Sequence, residues 1–268
     1  MTLAVERSFI SVASARIHIA LCGTGAPVLL LHQTPRSWDE FREVLPLLGE
    51  HYCAIAMDTA GYGDSDPLAE GEASIEAWAD AARQLLDALG IARAAVVGHH
   101  TGAAIAAELA AACPDRVAAL ILSACPYNDA ARRAAAPAGH TIDDAVSRGD
   151  GRHLMELWAL RQAFYPPGRI DLLERFILDA LKAGPRAAEG HRAVARYAID
   201  RRLPLISCPT LVIAPTADPH AYPNARNVAA AIAGSTLIEI EDGMVPLPDQ
   251  MPAAFTAAVR DFLAACRY

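Results

Sequence analysis

Apolar residues along this chain follow two rhythms. Short unbroken apolar runs, as in Pro27-Val-Leu-Leu-Leu31, Ala94–Val97 and Val117–Leu122, suit strands buried on both faces. Longer segments place apolar residues three or four apart. Trp38, Phe41, Val44, Leu45 and Leu48 do so within Arg36–Leu48, and Ile75–Leu89 is strongly amphipathic, so both are expected to be helices. In order, the chain reads as an opening antiparallel pair (Ser8–Val12, Ile17–Leu21), then strands at 27–32, 51–57, 94–97 and 117–123, with helices at 36–48, 75–89 and 102–112 between them. The rhythm returns near the C-terminus with strands at 210–214 and 236–240 and helices at 224–233 and 251–265. Repeated βα units require a parallel sheet with helices on both faces, and the count here predicts an α/β fold with a mostly parallel eight-stranded sheet.

Between about Asn128 and Arg202 the strands stop. Helical runs at 153–164, 170–182 and 187–198 are punctuated by Pro166-Pro167-Gly168 and Gly184-Pro185. This predicts a core formed by residues 1–127 and 203–268, with a helical cap inserted at 128–202 over the C-terminal ends of the strands, where open α/β sheets bind ligands. The apolar fraction of 53%, charged fraction of 20% and net charge of −8 describe a mildly acidic globular protein and disfavour nucleic acid as a partner. Six cysteines lack the close spacings of zinc sites or disulfide frameworks and read as small buried hydrophobes. No early apolar run suggests a signal peptide or membrane span, so a cytoplasmic location is expected.

The chemistry concentrates in Val96-Val97-Gly98-His99-His100-Thr101-Gly102-Ala103-Ala104, where a strand turns into an alanine-rich helix. Small residues two before and two after a sharp turn let strand and helix pass each other, and they present the central side chain at the tip. Here that side chain is the imidazole of His100. The segments PVLLLHQTP, DTAGYGDSD, VVGHHTGAAIAAELA, TLVIAPTADPH and DGMVPLPDQMPAAF together resemble the α/β-hydrolase fold superfamily with a helical cap, over nearly the whole chain.

The resemblance places the nucleophile at His100, the acid at Asp218 and the general base at Met244. Two of these three differ from the family pattern, and methionine cannot accept a proton, so ordinary serine hydrolysis is not expected. The resemblance also implies an oxyanion hole from the backbone N–H groups of Thr34 and Thr101. Gln33 stands where the family has glycine, and its amide either orients a substrate carbonyl or bonds to nearby loop backbone. His100 is read either as a general base on water or substrate, or as a space-filler in a degenerated site. Asp218 either orients His100 in an Asp–His dyad or caps the turn before Pro219. His220 could enter the gap left by the missing histidine, and His99 is expected to be structural.

Asp58 and Ser65 are read as turn residues. Ser123, Cys125 and Tyr127 follow the sixth strand and are expected to line the pocket, as is Met244, while Trp158, Phe164 and Tyr165 are read as cap core. The sequence therefore points to a cofactor-independent hydrolase or lyase, without metal, for a small carbonyl compound such as an ester, lactone or dicarbonyl. The alternative is a non-catalytic ligand-binding protein that keeps the pocket. A small molecule is the expected partner, with no nucleic acid and no membrane, and a homodimer is left open.

Overall fold

A computed structural model of the protein describes residues 3–68, 73–135, 143 and 147–268. Eight strands form one sheet: β1 (Glu6–Ser11), β2 (Arg16–Cys22), β3 (Pro27–Leu31), β4 (Cys53–Met57), β5 (Ala94–His99), β6 (Val117–Ser123), β7 (Thr210–Pro215) and β8 (Thr236–Ile240). Their spatial order is β1-β2-β4-β3-β5-β6-β7-β8. The β1/β2 and β2/β4 pairs are antiparallel and the remaining pairs parallel. The expected mostly parallel eight-stranded α/β sheet is thus the observed fold.

Strand alternation divides the core in two. Leu29, Leu31, Ile55, Met57, Val96 and Leu120 face one side, where they pack with α2 (Ile75–Ala88) and α3 (Thr101–Ala112). Val28, Leu30, Ala54, Ala56, Val97 and Ile121 face the other, packing with α1 (Val44–Gly49) and residues of the C-terminal helix such as Phe255, Val259 and Leu263. Because both faces are covered, these strands carry no polar alternation, which is why they appear in the sequence as solid apolar runs.

The expected helix over 36–48 is instead a 3-10 turn at Trp38–Phe41 followed by the short α1. Pro46 supplies no N–H and its ring excludes a preceding helical turn, so it must fall in the first turn of any α-helix there. Between β6 and β7 the described residues form α4 (Ala130–Ala135), α5 (Arg152–Gln162), α6 (Ile170–Ala183), α7 (Glu189–Arg196) and α8 (Ile199–Arg202). A small apolar cluster of Leu157, Tyr165, Leu172, Leu173 and Phe176 joins α5 to α6, with Trp158 and Phe164 packed against it. The chain ends with α9 (Ala225–Ala231), α10 (Leu247–Gln250) and α11 (Pro252–Ala265). Among the described residues no helix is long and apolar enough to cross a membrane.

Candidate active site

β5 ends at His99 and α3 begins at Thr101, leaving His100 alone in the corner with φ 49° and ψ −114°. A non-glycine residue in that region is strained, and surrounding packing must hold it. The two glycines make the corner possible. A Cβ on Gly98 would stand 2.2 Å from the Gly102 carbonyl oxygen, and one on Gly102 would stand 2.0 Å from that of Leu31. The His100 N–H donates to the Ser123 carbonyl at 3.0 Å, and its own carbonyl accepts from Ala103 and Ala104, which ties the corner to β6 and α3.

The His100 side chain is 16% exposed and its Nε2 lies 2.8 Å from Asp218 Oδ2, which is fully buried. Neither atom has another hydrogen-bond partner, and the pair is close in distance without the alignment of a directed hydrogen bond. Asp218 serves the turn as well: Oδ1 accepts from the backbone N–H groups of His220 at 2.8 Å and Ala221 at 3.1 Å. Asp218 thus caps the turn with one oxygen and stands against the His100 ring with the other. Burial pushes its carboxyl up, but the charge of an imidazolium at His100 and the two backbone donors outweigh it and hold Asp218 well below the usual carboxylate range. With Nε2 against the carboxylate, Nδ1 is the ring nitrogen left for chemistry.

A cavity of about 270 Å³ opens beside this pair. The ends of the strands contribute Gln33, Thr34, His100, Thr101, Pro126, His220 and Val245, while α5 and α7 contribute Arg161, His191 and Val194. Thr34 and Thr101 sit side by side, with hydroxyls 2.9 Å apart, and among the described residues neither backbone N–H has a hydrogen-bond partner. The free N–H of Thr101, at the N-terminus of α3, and that of Thr34, in the loop after β3, can together receive a developing negative charge on oxygen.

Four residues expected in the wall, Ser123, Cys125, Tyr127 and Met244, are not in it; Ser123 and Cys125 are buried behind it. Pro126 lines the cavity where Tyr127 was expected, because Tyr127 turns to pack against the main apolar core. Val245 lines it in place of Met244, whose N–H is drawn away to Gln250 Oε1 at 2.6 Å. Gln33 bonds neither loop backbone nor open space: its N–H and its amide Nε2 both donate to Glu40, at 2.8 and 2.6 Å. Glu40 is fully buried, and that burial pushes its carboxyl up to about 8. Spacing alone carries no sign of this partner seven residues on.

The other candidate residues have structural work. His99 is fully buried, its Nε2 donating to the Val245 carbonyl at 2.8 Å and its Nδ1 accepting from Ser123 Oγ at 3.0 Å; burial lowers it to about 3, so it is neutral. Asp58 accepts from the N–H groups of Trp38 and Asp64 and from His18, and the Ser65 hydroxyl donates to the Asp58 carbonyl. Burial pushes the Cys125 thiol far up, away from any nucleophilic thiolate. Phe164 packs at a tilt against the cavity residue His220 with 4.6 Å between ring centres, and burial lowers His220 as well. Among the described residues one group of three, His18, Asp58 and Asp64, clusters tightly enough to suggest a cation site. Asp64 is already paired with Arg7 and Lys182, so protein cations fill that role.

Arg161 and His191 escape sequence reasoning. Their signal is faint: Arg161 occupies a buried position four residues after Leu157 on the inward stripe of α5, where a long apolar side chain is the norm.

This architecture, with its glycine-bracketed corner and the paired acid from the loop after β7, defines an α/β-hydrolase. The chain belongs to the alpha/beta hydrolase fold family, whose model matches residues 26–243. It is similar to the soluble epoxide hydrolase of Corynebacterium sp. (strain C12), 38% identical over 91 residues covering 34% of this chain and 32% of that protein. The chain thus matches about a third of the length of that curated relative. Among solved structures, the enol-lactonase from Burkholderia xenovorans LB400 superposes with a TM-score of 0.81 at 22% identity, covering 96% of this chain and all (100%) of that one. A thermophilic esterase from Thermogutta terrifontis, solved with malate bound, superposes at 0.77 with 26% identity, covering 98% of this chain and 100% of that one.

Proposed function

We propose that this protein is a cofactor-independent hydrolase or lyase for a small carbonyl compound of ester, lactone or dicarbonyl type. His100 acts as general base, Asp218 orients it, and the N–H groups of Thr34 and Thr101 hold the oxyanion. The observation that carries the reading is the 2.8 Å approach of His100 Nε2 to Asp218 Oδ2 at the edge of a cavity that Nδ1 is free to serve. The carboxylate stabilises the imidazolium that forms when Nδ1 takes a proton.

In the hydrolytic form, Nδ1 takes a proton from water as the water oxygen bonds to the carbonyl carbon. The carbonyl electron pair moves onto oxygen and is met by the two N–H groups. That pair then returns, the bond to the leaving oxygen breaks, and the imidazolium gives its proton to the departing group. No acyl-enzyme is needed, which accounts for the absence of a serine at position 100 and of a histidine at position 244. The helices at 130–202 act as the cap that closes the cavity over the reacting groups. The esterase from Thermogutta terrifontis, the structural relative with the higher identity of the two, supports an ester-type substrate.

A panel of esters, thioesters, lactones and β-dicarbonyls tests the reading. Turnover is expected with at least one class, and His100→Ala is expected to lower it by about 100-fold or more, with Asp218→Asn lowering it less, both variants melting close to wild type. Saturable binding without turnover of any panel member would instead establish the non-catalytic binding protein.

A further inference from the structure

The wall of the cavity contributed by α5 and α7 differs from the wall contributed by the sheet. Arg161, on α5, is only 4% exposed yet lines the cavity. Its guanidinium is clamped on two sides. Nε donates to Asp143 Oδ1 at 2.7 Å and one terminal nitrogen, Nη2, bonds the other Asp143 oxygen, while the face of the group lies 4.6 Å from the Phe176 ring centre. Nη2 also meets His191 Nε2 at 3.1 Å, and His191 lies 2.5 Å from the same Asp143 carboxylate. The remaining terminal nitrogen, Nη1, makes no hydrogen bond among the described residues.

A buried arginine held this way is a costly structural choice, since an apolar side chain would fill the same space without desolvating a charge. A guanidinium fixed along one edge leaves its other donors pre-aimed, the arrangement that recognises planar anions. The lining supports the same ligand: it contains Arg161, His100, His191 and His220 and no carboxylate, both Asp143 and Asp218 being withdrawn behind it as fully buried partners.

We infer that the α5–α7 wall is an anion subsite, in which Arg161, set by Asp143 and Phe176 and flanked by His191, receives a carboxylate carried by the substrate. This rests on the functional reading above for taking the cavity as the substrate site. It narrows the substrate class to carbonyl compounds bearing a free carboxylate, such as half-esters of dicarboxylic acids or lactones with an acid side chain.

Calorimetric titration of the whole protein with succinate and with its neutral analogue succinamide reads the subsite without any turnover. Saturable succinate binding, about tenfold or more tighter than succinamide, is expected. Arg161→Gln combined with Asp143→Asn removes both charges together, leaves no unpaired ion buried, and is expected to bring succinate down to the succinamide level. Arg161→Lys, which keeps the charge but loses the planar fork, supplies an intermediate affinity and a check should the double variant not fold. Equal binding of succinate and succinamide by the wild type, or unchanged succinate binding by the folded double variant, overturns the subsite. The two readings fail separately. Charge-selective binding with no turnover across the panel removes the enzyme and keeps the subsite, whereas faster turnover of diethyl succinate than of monoethyl succinate removes the subsite and keeps the enzyme.

Discussion

The sheet and the helices at 130–202 are joined to the rest of the molecule by different forces. In the sheet, residues such as Leu30, Val97 and Ile121 are fully buried among other apolar side chains, and the glycine-bracketed corner rests on that packing. The helices also bury apolar residues such as Ala193 and Ile199 in the main core, but they add buried charge. On α6, Asp179 accepts from Arg36 at 2.8 Å and from the Ser37 hydroxyl at 2.9 Å, and Arg175 reaches Asp39 at 2.6 Å and Asp249 at 2.9 Å. Further along, Glu108 of α3 accepts from the Tyr197 hydroxyl, just before α8, and from Arg202, at its end. Apolar packing is tolerant of small shifts, while buried ion pairs require one geometry, so the docked helices are positioned by a few specific contacts.

The sharpest way to break the packed half is Gly102→Ala, because the added methyl would meet the Leu31 carbonyl with no flexible atom to yield. A loss of about 4 kcal/mol or more is expected, read as failure to express in soluble form or a collapsed denaturant midpoint. The docked half is tested by Arg36→Met, which strands Asp179 and Asp249 inside the protein. It is expected to destabilise by about 3–5 kcal/mol, and adding Asp179→Asn and Asp249→Asn should recover much of the loss, because the charges then leave together. Recovery that failed to appear would show that packing, not charge, holds α6.

A gentler probe is pH. Glu40 is raised in the folded protein to about 8 from an ordinary 4.5, so the unfolded chain releases its proton first. Its contribution is complete below pH 4.5 and is lost as pH rises toward 8, at up to about 1.4 kcal/mol per pH unit. The stability of wild type relative to Glu40→Gln should therefore fall across that window. A flat difference would mean that Glu40 ionises normally beside Gln33.

Legibility in the sequence follows the same division. Strands buried on both faces announce themselves, and the corner at His100 is fixed by local sterics that only glycine satisfies at positions 98 and 102, so motif spacing finds it. The meeting of His100 with Asp218 is foreseen as one of two roles, since the strand order places both loops at the same end of the sheet. Arg161 and His191 are not foreseen. They converge through Asp143, 18 and 48 residues away in the chain, inside helices whose placement no periodicity specifies. The partner of Gln33 is unforeseen for a related reason: it is a buried carboxylate, a residue type ordinarily expected at the surface.

Gly190, in the first turn of α7, has no room for a side chain, because a Cβ there would lie 1.6 Å from the Thr34 hydroxyl. That bare spot lets the helix settle directly onto the threonine pair, so the ceiling of the chamber hangs as low as backbone allows. Any larger residue at this position would act as a shim, lifting α7 and admitting bulkier molecules at the expense of contact with smaller ones.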